Sequence, residues 1–392
     1  QRWRTEIRVL TSIGVPLQAT AGYSAPEVEE SYTRAYELCQ KLKTTHEQFP
    51  ILYGLFRYYM LQARYPKARE LSAQLLQIAG NDAPLHFVVA ANRAGGGPPV
   101  YEGRHAEAVP LLERVVAIPP TPELRADVYR YDVVDPWIAA RSYLSWACWL
   151  QGRIDESIQH SNEAVRIAEA LDHSFSQALA LSFSQWVHQF RRDVARTRQT
   201  ADQAFQIATD HSFAFWIGWC RIMRGWAMAY QNAVIEGIRE IEQGIREWRA
   251  TGSELGCHYY YALLAEACLL GDQFPEAADA LQHAQSFADQ TGEGFWISEI
   301  TRLRGRLTLK TSPDDLGSAE SSFRKAIEQS AAQGAASLRL RATVDLCHLL
   351  AKSNRRTEAF SLLQIMTDQI TEGFDTVDVR EARELLHELS TR

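Results

Sequence analysis

The chain has 392 residues, of which 41 are Lys or Arg and 48 are Asp or Glu, so its formal net charge is −7. Apolar residues make up 46% and charged residues 23%, which excludes a disordered chain, a collagen-like chain and a disulfide scaffold. The acidic balance argues against binding to nucleic acid, which requires a basic surface. The most apolar run, Tyr259 to Leu270, is too short to cross a bilayer. We therefore expect a cytoplasmic protein with neither nucleic-acid nor membrane partners.

A small-x-x-x-large-x-x-small pattern recurs from one end of the chain to the other. Small residues at this spacing let the two helices of a hairpin approach, and the large residue fills the space between them. Successive copies are 40 residues apart in six of eight intervals, and the other two intervals are 49 and 42 residues. The copies begin at Val28, Ala68, Ala108, Ser157, Thr197, Gly237, Ala277, Ala319 and Ala359.

The period predicts an all-α fold, because 40 residues accommodate two helices and two short turns. Glycines at Gly103, Gly152 and Gly271 stand where the first helix of a hairpin should end. We expect a right-handed superhelical solenoid of about nine tetratricopeptide-like repeats over residues 1–392. Residues 376–392 should form a C-terminal capping helix with one apolar face, composed of Val379, Ala382, Leu385, Leu386 and Leu389.

Three segments depart from the repeat. Gly95-Gly96-Gly97-Pro98-Pro99 should break the first helix of the third repeat, and Gly14-Val15-Pro16 should interrupt the first helix of the chain. The 49-residue interval predicts a proline-stiffened surface loop near Ile118-Pro119-Pro120-Thr121-Pro122. Together these features predict a structural seam between residues 95 and 136.

Short sequence motifs between the repeat anchors resemble those of one bacterial family. They are Gly22-Tyr23-Ser24-Ala25-Pro26-Glu27-Val28, His188-Gln189-Phe190-Arg191-Arg192, Arg224-Gly225-Trp226-Ala227, Trp248-Arg249-Ala250-Thr251-Gly252, Leu264-Ala265-Glu266-Ala267 and Thr371-Glu372-Gly373-Phe374-Asp375-Thr376. The chain resembles the C-terminal repeat region of multidomain predicted ATPases, often fused to class III adenylate or guanylate cyclase domains. The resemblance implies a module of bacterial signal transduction that follows a cyclase or kinase domain and a P-loop ATPase. The absence of an initial Met agrees with a fragment of a longer protein.

Catalytic motifs are missing from the sequence. There is no phosphate-binding P-loop, no nucleophile elbow and no H-E-x-x-H pair, so we predict no catalytic residue and no cofactor. The six cysteines form no closely spaced pair, so no metal site is expected. This fragment should not be an enzyme.

Aromatic residues provide the candidate binding site. Trp146, Trp186 and Trp226 are 40 residues apart in the first helices of adjacent repeats, and the same column continues to Glu266 and roughly to Arg306. We expect Trp186 and Trp226 to be half-buried, with one ring edge facing the concave groove. The candidate ligand- or partner-binding residues are Trp146, Trp149, Trp186, His188, Trp219, Arg221, Trp226, Tyr259 and Glu266.

Two interpretations of this column stay open, since its large rings could fill the core or line a groove. A groove would serve a regulatory module that binds a protein partner or another domain of its own chain. The alternative is a sensor that binds a small molecule, such as a sugar, in a tryptophan-lined pocket.

Overall fold

The computed structural model describes residues 2–3, 5–7, 9–11, 26–42, 48–80 and 82–391, so the predicted interruption at Gly14-Val15-Pro16 lies outside the described residues. Within these ranges the chain is helical and has no strand, and residues 2–3, 5–7 and 9–11 are helical. The helices with defined bounds are α1 (Pro26–Leu42), α2 (Gln48–Leu61), α3 (Tyr65–Ile78), α4 (Leu85–Tyr101), α5 (His105–Ala117), α6 (Pro122–Tyr129), α7 (Pro136–Leu150), α8 (Ile154–Ala170), α9 (Ser174–Phe190), α10 (Val194–Asp210), α11 (Ala214–Tyr230), α12 (Val234–Ala250), α13 (Cys257–Leu270), α14 (Phe274–Thr291), α15 (Ile297–Thr311), α16 (Leu316–Ala332), α17 (Ala336–Lys352), α18 (Arg356–Thr367) and α19 (Val377–Ser390). None of these helices is long and apolar enough to cross a bilayer.

The small residues of the repeat lie where paired helices cross. A methyl group added to Gly225 on α11 would lie 2.5 Å from the Gly237 carbonyl oxygen on α12, and one added to Gly244 would lie 2.7 Å from the Gly218 carbonyl oxygen. Such close approach is possible only where the side chains are absent or minimal. The all-α solenoid of helix-turn-helix repeats predicted from the sequence is confirmed.

The turns between paired helices repeat as regularly as the helices. Gly103 and Gly152 adopt the left-handed conformation, with φ of 77° and 86°. Gly271 follows the last residue of α13 as predicted, but its φ is −90° and the left-handed residue is its neighbour Asp272, with φ of 52°. Asp tolerates this conformation better than most residues, because its short side chain can form local hydrogen bonds.

The predicted helix break at Gly95-Gly96-Gly97-Pro98-Pro99 is wrong, since α4 continues through Tyr101. Both prolines lie in the last turn of α4, so their missing amides remove the helical hydrogen bonds to the Ala94 and Gly95 carbonyls, but only Val100 and Tyr101 follow them in the helix. Their carbonyls still accept hydrogen bonds from the amides of Glu102 and Arg104, at 3.0 and 2.8 Å. A methyl group added to Gly96 would lie 2.5 Å from Leu112, so the glycines serve close packing between α4 and α5.

The predicted proline-stiffened surface loop is present at residues 118–121, and the insertion then continues as helix α6, which begins at Pro122. The Thr121 hydroxyl accepts a hydrogen bond from the Leu124 amide at 3.2 Å and caps this helix, with Pro122 in its first turn. The Trp137 indole N–H donates to the Ile118 carbonyl at 2.7 Å and attaches the insertion to α7. A seam over residues 95–136 stays a prediction, without the helix break on which it was partly based.

Contacts between residues far apart in sequence close the superhelix on itself. The last turns of α2, α4, α7 and α9 each present a backbone carbonyl to a residue of a later repeat. These carbonyls bind as follows: Leu61 to the Glu254 and Leu255 amides, Tyr101 to the Gly294 and Phe295 amides, Trp149 to the Ser337 hydroxyl, and Phe190 to the Arg341 guanidinium. Ser253, which also donates to Leu61, is 192 residues away from it, and Ser337 is 188 residues from Trp149. One superhelical turn therefore packs directly against the next.

The C-terminal helix takes part in this closure. Val379, Ala382, Leu385 and Leu389 are buried as predicted, whereas Leu386 is only partly buried. The segment before α19 reaches back to the N-terminus of α8. There the Glu372 carboxylate accepts hydrogen bonds from the Asp155 and Glu156 amides at 2.6 and 3.4 Å. A carboxylate satisfies the free amides at a helix N-terminus and complements the helix dipole, so the last repeat stabilises a helix near the middle of the chain.

Candidate functional site

The tryptophan column is part of the core. Trp146, Trp186 and Trp226 are each no more than 1% exposed. The rings of Trp146 and Trp186 stack with centroids 4.0 Å apart, and Trp186 also contacts Tyr259 at 4.2 Å and Phe295 at 5.8 Å. The prediction that Trp186 and Trp226 are half-buried, with one ring edge facing the groove, is wrong. Tyr259 on α13 and Phe295, just before α15, come from later repeats and cover the Trp186 ring.

The other aromatic and basic residues of the predicted site do not form a groove with the column. Trp149, Trp219 and Tyr259 are buried. His188 is mostly buried, which lowers its pKa to about 4. Arg221 is paired with acidic residues of α12, at 3.1 Å from Glu240 and 2.8 Å from Glu247. Arg221 therefore forms ion pairs between α11 and α12.

Glu266 is the predicted site residue that does reach a cavity. Its carboxylate accepts hydrogen bonds from the Trp226 indole N–H at 2.8 Å and from the Tyr230 hydroxyl at 2.6 Å. Burial and the Glu266 charge raise the pKa of Tyr230 well above its ordinary value, so its hydroxyl stays protonated and donates. The column therefore runs from buried rings to the charged wall of a cavity, which Glu266 and Arg306 both line.

Two adjoining cavities form a cleft between α13, α15, α17 and α19. We call the first the arginine cavity, with a volume of about 270 Å³ and walls that include Arg192, Arg302, Arg306, Arg341, Asp378 and Glu381. The second, the leucine cavity, has a volume of about 670 Å³ and walls that include Leu269, Leu270, Leu303, Leu309, Leu316 and Leu349. Both cavities share Glu266, Arg306, Asp345 and His348. The cleft thus combines charged and apolar surface.

Most charges of the arginine cavity are neutralised by each other. Arg302 binds Glu299 through two nitrogens at 2.7 and 2.9 Å and also binds Asp345. Arg341 lies 3.4 Å from the same Glu299 carboxylate. Burial alone would raise the pKa of Glu299, but Arg302 and Arg341 outweigh it and hold this pKa at about 2.

The same network connects the two superhelical turns. Arg341 on α17 donates to Asp378 on α19 at 2.7 Å and to the Phe190 carbonyl at 2.8 Å. Arg192, just after α9, lies 3.2 Å from Asp378 and 2.6 Å from Glu381. Burial opposes the charge of Asp378, yet Arg341 and Arg192 lower its pKa below the ordinary range. These ion pairs hold α9, α17 and α19 together beside the cleft.

Three basic side chains of the cleft stand apart from this network. Arg306, His348 and Lys352 are exposed, and none of them has an ion pair or a side-chain hydrogen bond with a residue in the described part of the chain. Arg306 borders both cavities. The guanidinium of Arg306 is thus free to bind a group that enters the cleft.

Sequence reasoning missed most of the cleft, although one signal was present. Leu269, Leu309 and Leu349 are 40 residues apart, like Glu266 and Arg306, and all five line the leucine cavity. Columns at the repeat spacing could therefore have located this wall. Arg192, Arg341 and Asp378 show no such column, because they meet only through the closure of the superhelix.

One cluster contains side chains that can bind a metal ion, but the charges around it do not favour a cation. The ligand atoms of Cys148, Glu156 and His160 lie within 4.8 Å of one another. However, Arg153 binds Glu156 at 2.7 Å, and Arg141 lies 3.5 Å from a ring nitrogen of His160. Burial raises the pKa of the Cys148 thiol to about 12, so it stays protonated. A protonated thiol and two arginines disfavour a cation here.

Comparison with known proteins supports the fold. No protein-family model matches the chain. An uncharacterized protein of Rhizobium meliloti (strain 1021) is 21% identical over 340 residues, which are 86% of this chain. The chain spans 33% of the length of that relative.

Solved structures with a similar fold are helical repeat proteins. A Rap protein complexed with competence and sporulation factor has a TM-score of 0.54 and 11% identity, over 88% of this chain and 98% of its own. The Rap conjugation gene regulator of plasmid pLS20, in complex with the Phr* peptide, has a TM-score of 0.55 and 9% identity, over 98% and 97%. A human IFIT1 dimer with m7Gppp-AAAA has a TM-score of 0.51 and 14% identity, over 93% and 78%. The chain is a tetratricopeptide-like helical solenoid.

Proposed function

We propose that the chain is a noncatalytic regulatory module that binds a segment of a partner protein, or of another domain of its own protein, in the cleft. One observation carries this proposal: Arg306, His348 and Lys352 stand unpaired beside an apolar wall, whereas the other arginines of the cleft are neutralised. A surface with unused donors next to exposed leucines is suited to binding. Leu270 and Leu316 are 42% and 38% exposed.

Similarity of fold adds support for a peptide or protein partner. Two of the similar solved structures are Rap proteins, one complexed with competence and sporulation factor and the other with the Phr* peptide. Long repeat solenoids present extended concave surfaces to such partners. In this chain aromatic residues of other repeats bury Trp186, so we place binding at the cleft.

We also propose that the parent protein is a cytoplasmic bacterial signalling ATPase or nucleotide cyclase. This rests on the resemblance of the repeat motifs. It is compatible with the length of the Rhizobium meliloti relative, of which the chain spans 33%. In such a protein, occupancy of the cleft would regulate a catalytic domain elsewhere in the polypeptide.

A small-molecule sensor is the second candidate, favoured by the volume of the leucine cavity. About 670 Å³ falls within the roughly 300–1,000 Å³ typical of ligand sites. A tryptophan-lined sugar site is not proposed, because Trp146, Trp186 and Trp226 line neither cavity of the cleft.

The two candidates are tested by selecting displayed random peptides against the purified chain. Selected peptides should bind the wild type, and Arg306→Glu should weaken their binding. The matched control is Arg239→Glu, which reverses an exposed arginine on α12 and should leave binding unchanged. Failure to select any peptide, together with thermal stabilisation by a small-molecule panel that Arg306→Glu abolishes, would favour the sensor. Peptides insensitive to Arg306→Glu would place the binding surface elsewhere.

A further inference from the structure

We propose that the segment bound by the cleft is acidic and apolar, with an aliphatic or aromatic side chain in the leucine cavity and a carboxylate at Arg306. This inference rests on the proposed function and names the chemistry of the partner. It follows from which charged groups of the cleft are already paired and which are not.

The carboxylates of the cleft already have donors of the protein as partners. Glu266 accepts hydrogen bonds from both the Trp226 indole and the Tyr230 hydroxyl. Asp345 is bound by Arg302, and Asp272 at the edge of the leucine cavity lies 3.4 Å from Lys310. A basic ligand would have to share these carboxylates with donors of the protein, whereas an acidic ligand would meet the guanidinium of Arg306, which forms no ion pair with a described residue.

The free charges are cationic. Neither Arg306 nor Lys352 forms an ion pair with a described residue, so a basic segment would place like charges together. Arg306 lies more than one turn before the end of α15 at Thr311, away from the terminal carbonyls whose partial negative charge repels an anion. A carboxylate at Arg306 can accept two parallel hydrogen bonds from the guanidinium.

The leucine cavity supplies the apolar half of the recognition. Leu269, Leu309 and Leu349 form one column of its wall, and Leu303 and Phe323 close its base with exposures of 1% and 0%. Removing apolar side chains of a partner from water into this cavity is favourable in proportion to the area buried. Since Arg306 borders both cavities, the acidic group and the apolar group should be neighbours in the bound segment.

Three synthetic peptide pools of equal length test this chemistry by fluorescence anisotropy. One pool contains Leu and Glu, the second Leu and Lys, and the third Ser and Glu. The Leu/Glu pool should bind the wild-type chain more tightly than the other two pools. Arg306→Glu should weaken binding of the Leu/Glu pool by about tenfold and strengthen binding of the Leu/Lys pool. A gain for one pool with a loss for the other cannot result from misfolding.

The remaining variants separate this inference from the proposed function. Leu270→Ser should weaken the Leu/Glu pool and leave the Ser/Glu pool unchanged, whereas Arg239→Glu should affect no pool. If the wild type binds the Leu/Lys pool best and Leu270→Ser weakens it, the cleft binds peptides but the acidic chemistry is wrong. If no pool binds, and no displayed peptide is selected, the peptide-binding function itself is refuted. If Arg306→Glu and Arg239→Glu weaken peptide binding equally, the charge dependence is nonspecific attraction to the surface, and the inference is overturned.

Discussion

Replacing Trp186 with Ala tests whether the tryptophan column is core. The ring is 0% exposed and contacts Trp146 and Tyr259 at centroid distances of 4.0 and 4.2 Å. Truncation of a buried aromatic residue costs about 3–5 kcal/mol of unfolding free energy, through lost burial and the cavity that remains. The indole nitrogen of Trp186 is buried without a hydrogen-bond partner among the described residues, so its removal offsets part of this cost. We expect a loss near 3 kcal/mol, at the lower end of the range.

Urea unfolding followed by far-ultraviolet circular dichroism measures this loss without relying on tryptophan fluorescence. Trp186→Phe should cost much less than Trp186→Ala, because it keeps a ring in the stack and removes the unsatisfied nitrogen. Trp3→Ala is the matched control: Trp3 is 45% exposed, and its loss should change stability by less than about 0.5 kcal/mol. A loss below about 1 kcal/mol for Trp186→Ala would refute the core assignment and restore the groove interpretation.

Three further outcomes are expected. Burial lowers the pKa of both His105 and His188 to about 4. Between pH 6.5 and 4 the unfolded chain therefore binds more protons than the folded chain does. The free energy of unfolding, measured with denaturant, should fall as the pH falls through that window. His105→Leu should flatten this dependence, and a stability that rises on acidification to pH 4 would contradict it. Arg341→Met should destabilise the chain by about 3 kcal/mol in urea, since buried Glu299 and Asp378 each lose one of their two arginine partners. A change below about 1 kcal/mol would show that the inter-turn ion pairs are not needed. Truncation after Thr371 removes Glu372 and should increase amide exchange at the start of α8 as well as in the last repeat; normal protection at α8 would refute the cap.

The sequence was most informative about contacts between neighbouring repeats. The spacing of Gly237 and Gly244 predicted which face of α12 meets α11, because small residues matter only where helices approach. It was misleading at Pro98 and Pro99, because only Val100 and Tyr101 follow them in α4 and the prolines therefore lie where the helix is about to end. The sequence did not predict closure. Many small packing differences add up to the rotation between successive repeats, and this rotation determines which repeats meet after one superhelical turn. The burial of Trp186 depends on that closure, which explains why its accessibility was predicted wrongly.

Closure also constrains how the array can change in length. In an open solenoid, adding or deleting a repeat shifts the ends and leaves every other interface intact. Here the carbonyls of Leu61, Tyr101 and Trp149 each meet a partner one superhelical turn later in the chain. Deleting a single 40-residue unit between them would move every one of these pairs out of register at once. Repeat number is therefore as fixed in this protein as strand number is in a closed barrel, and variation should be confined to substitutions and to loops outside the interface between turns.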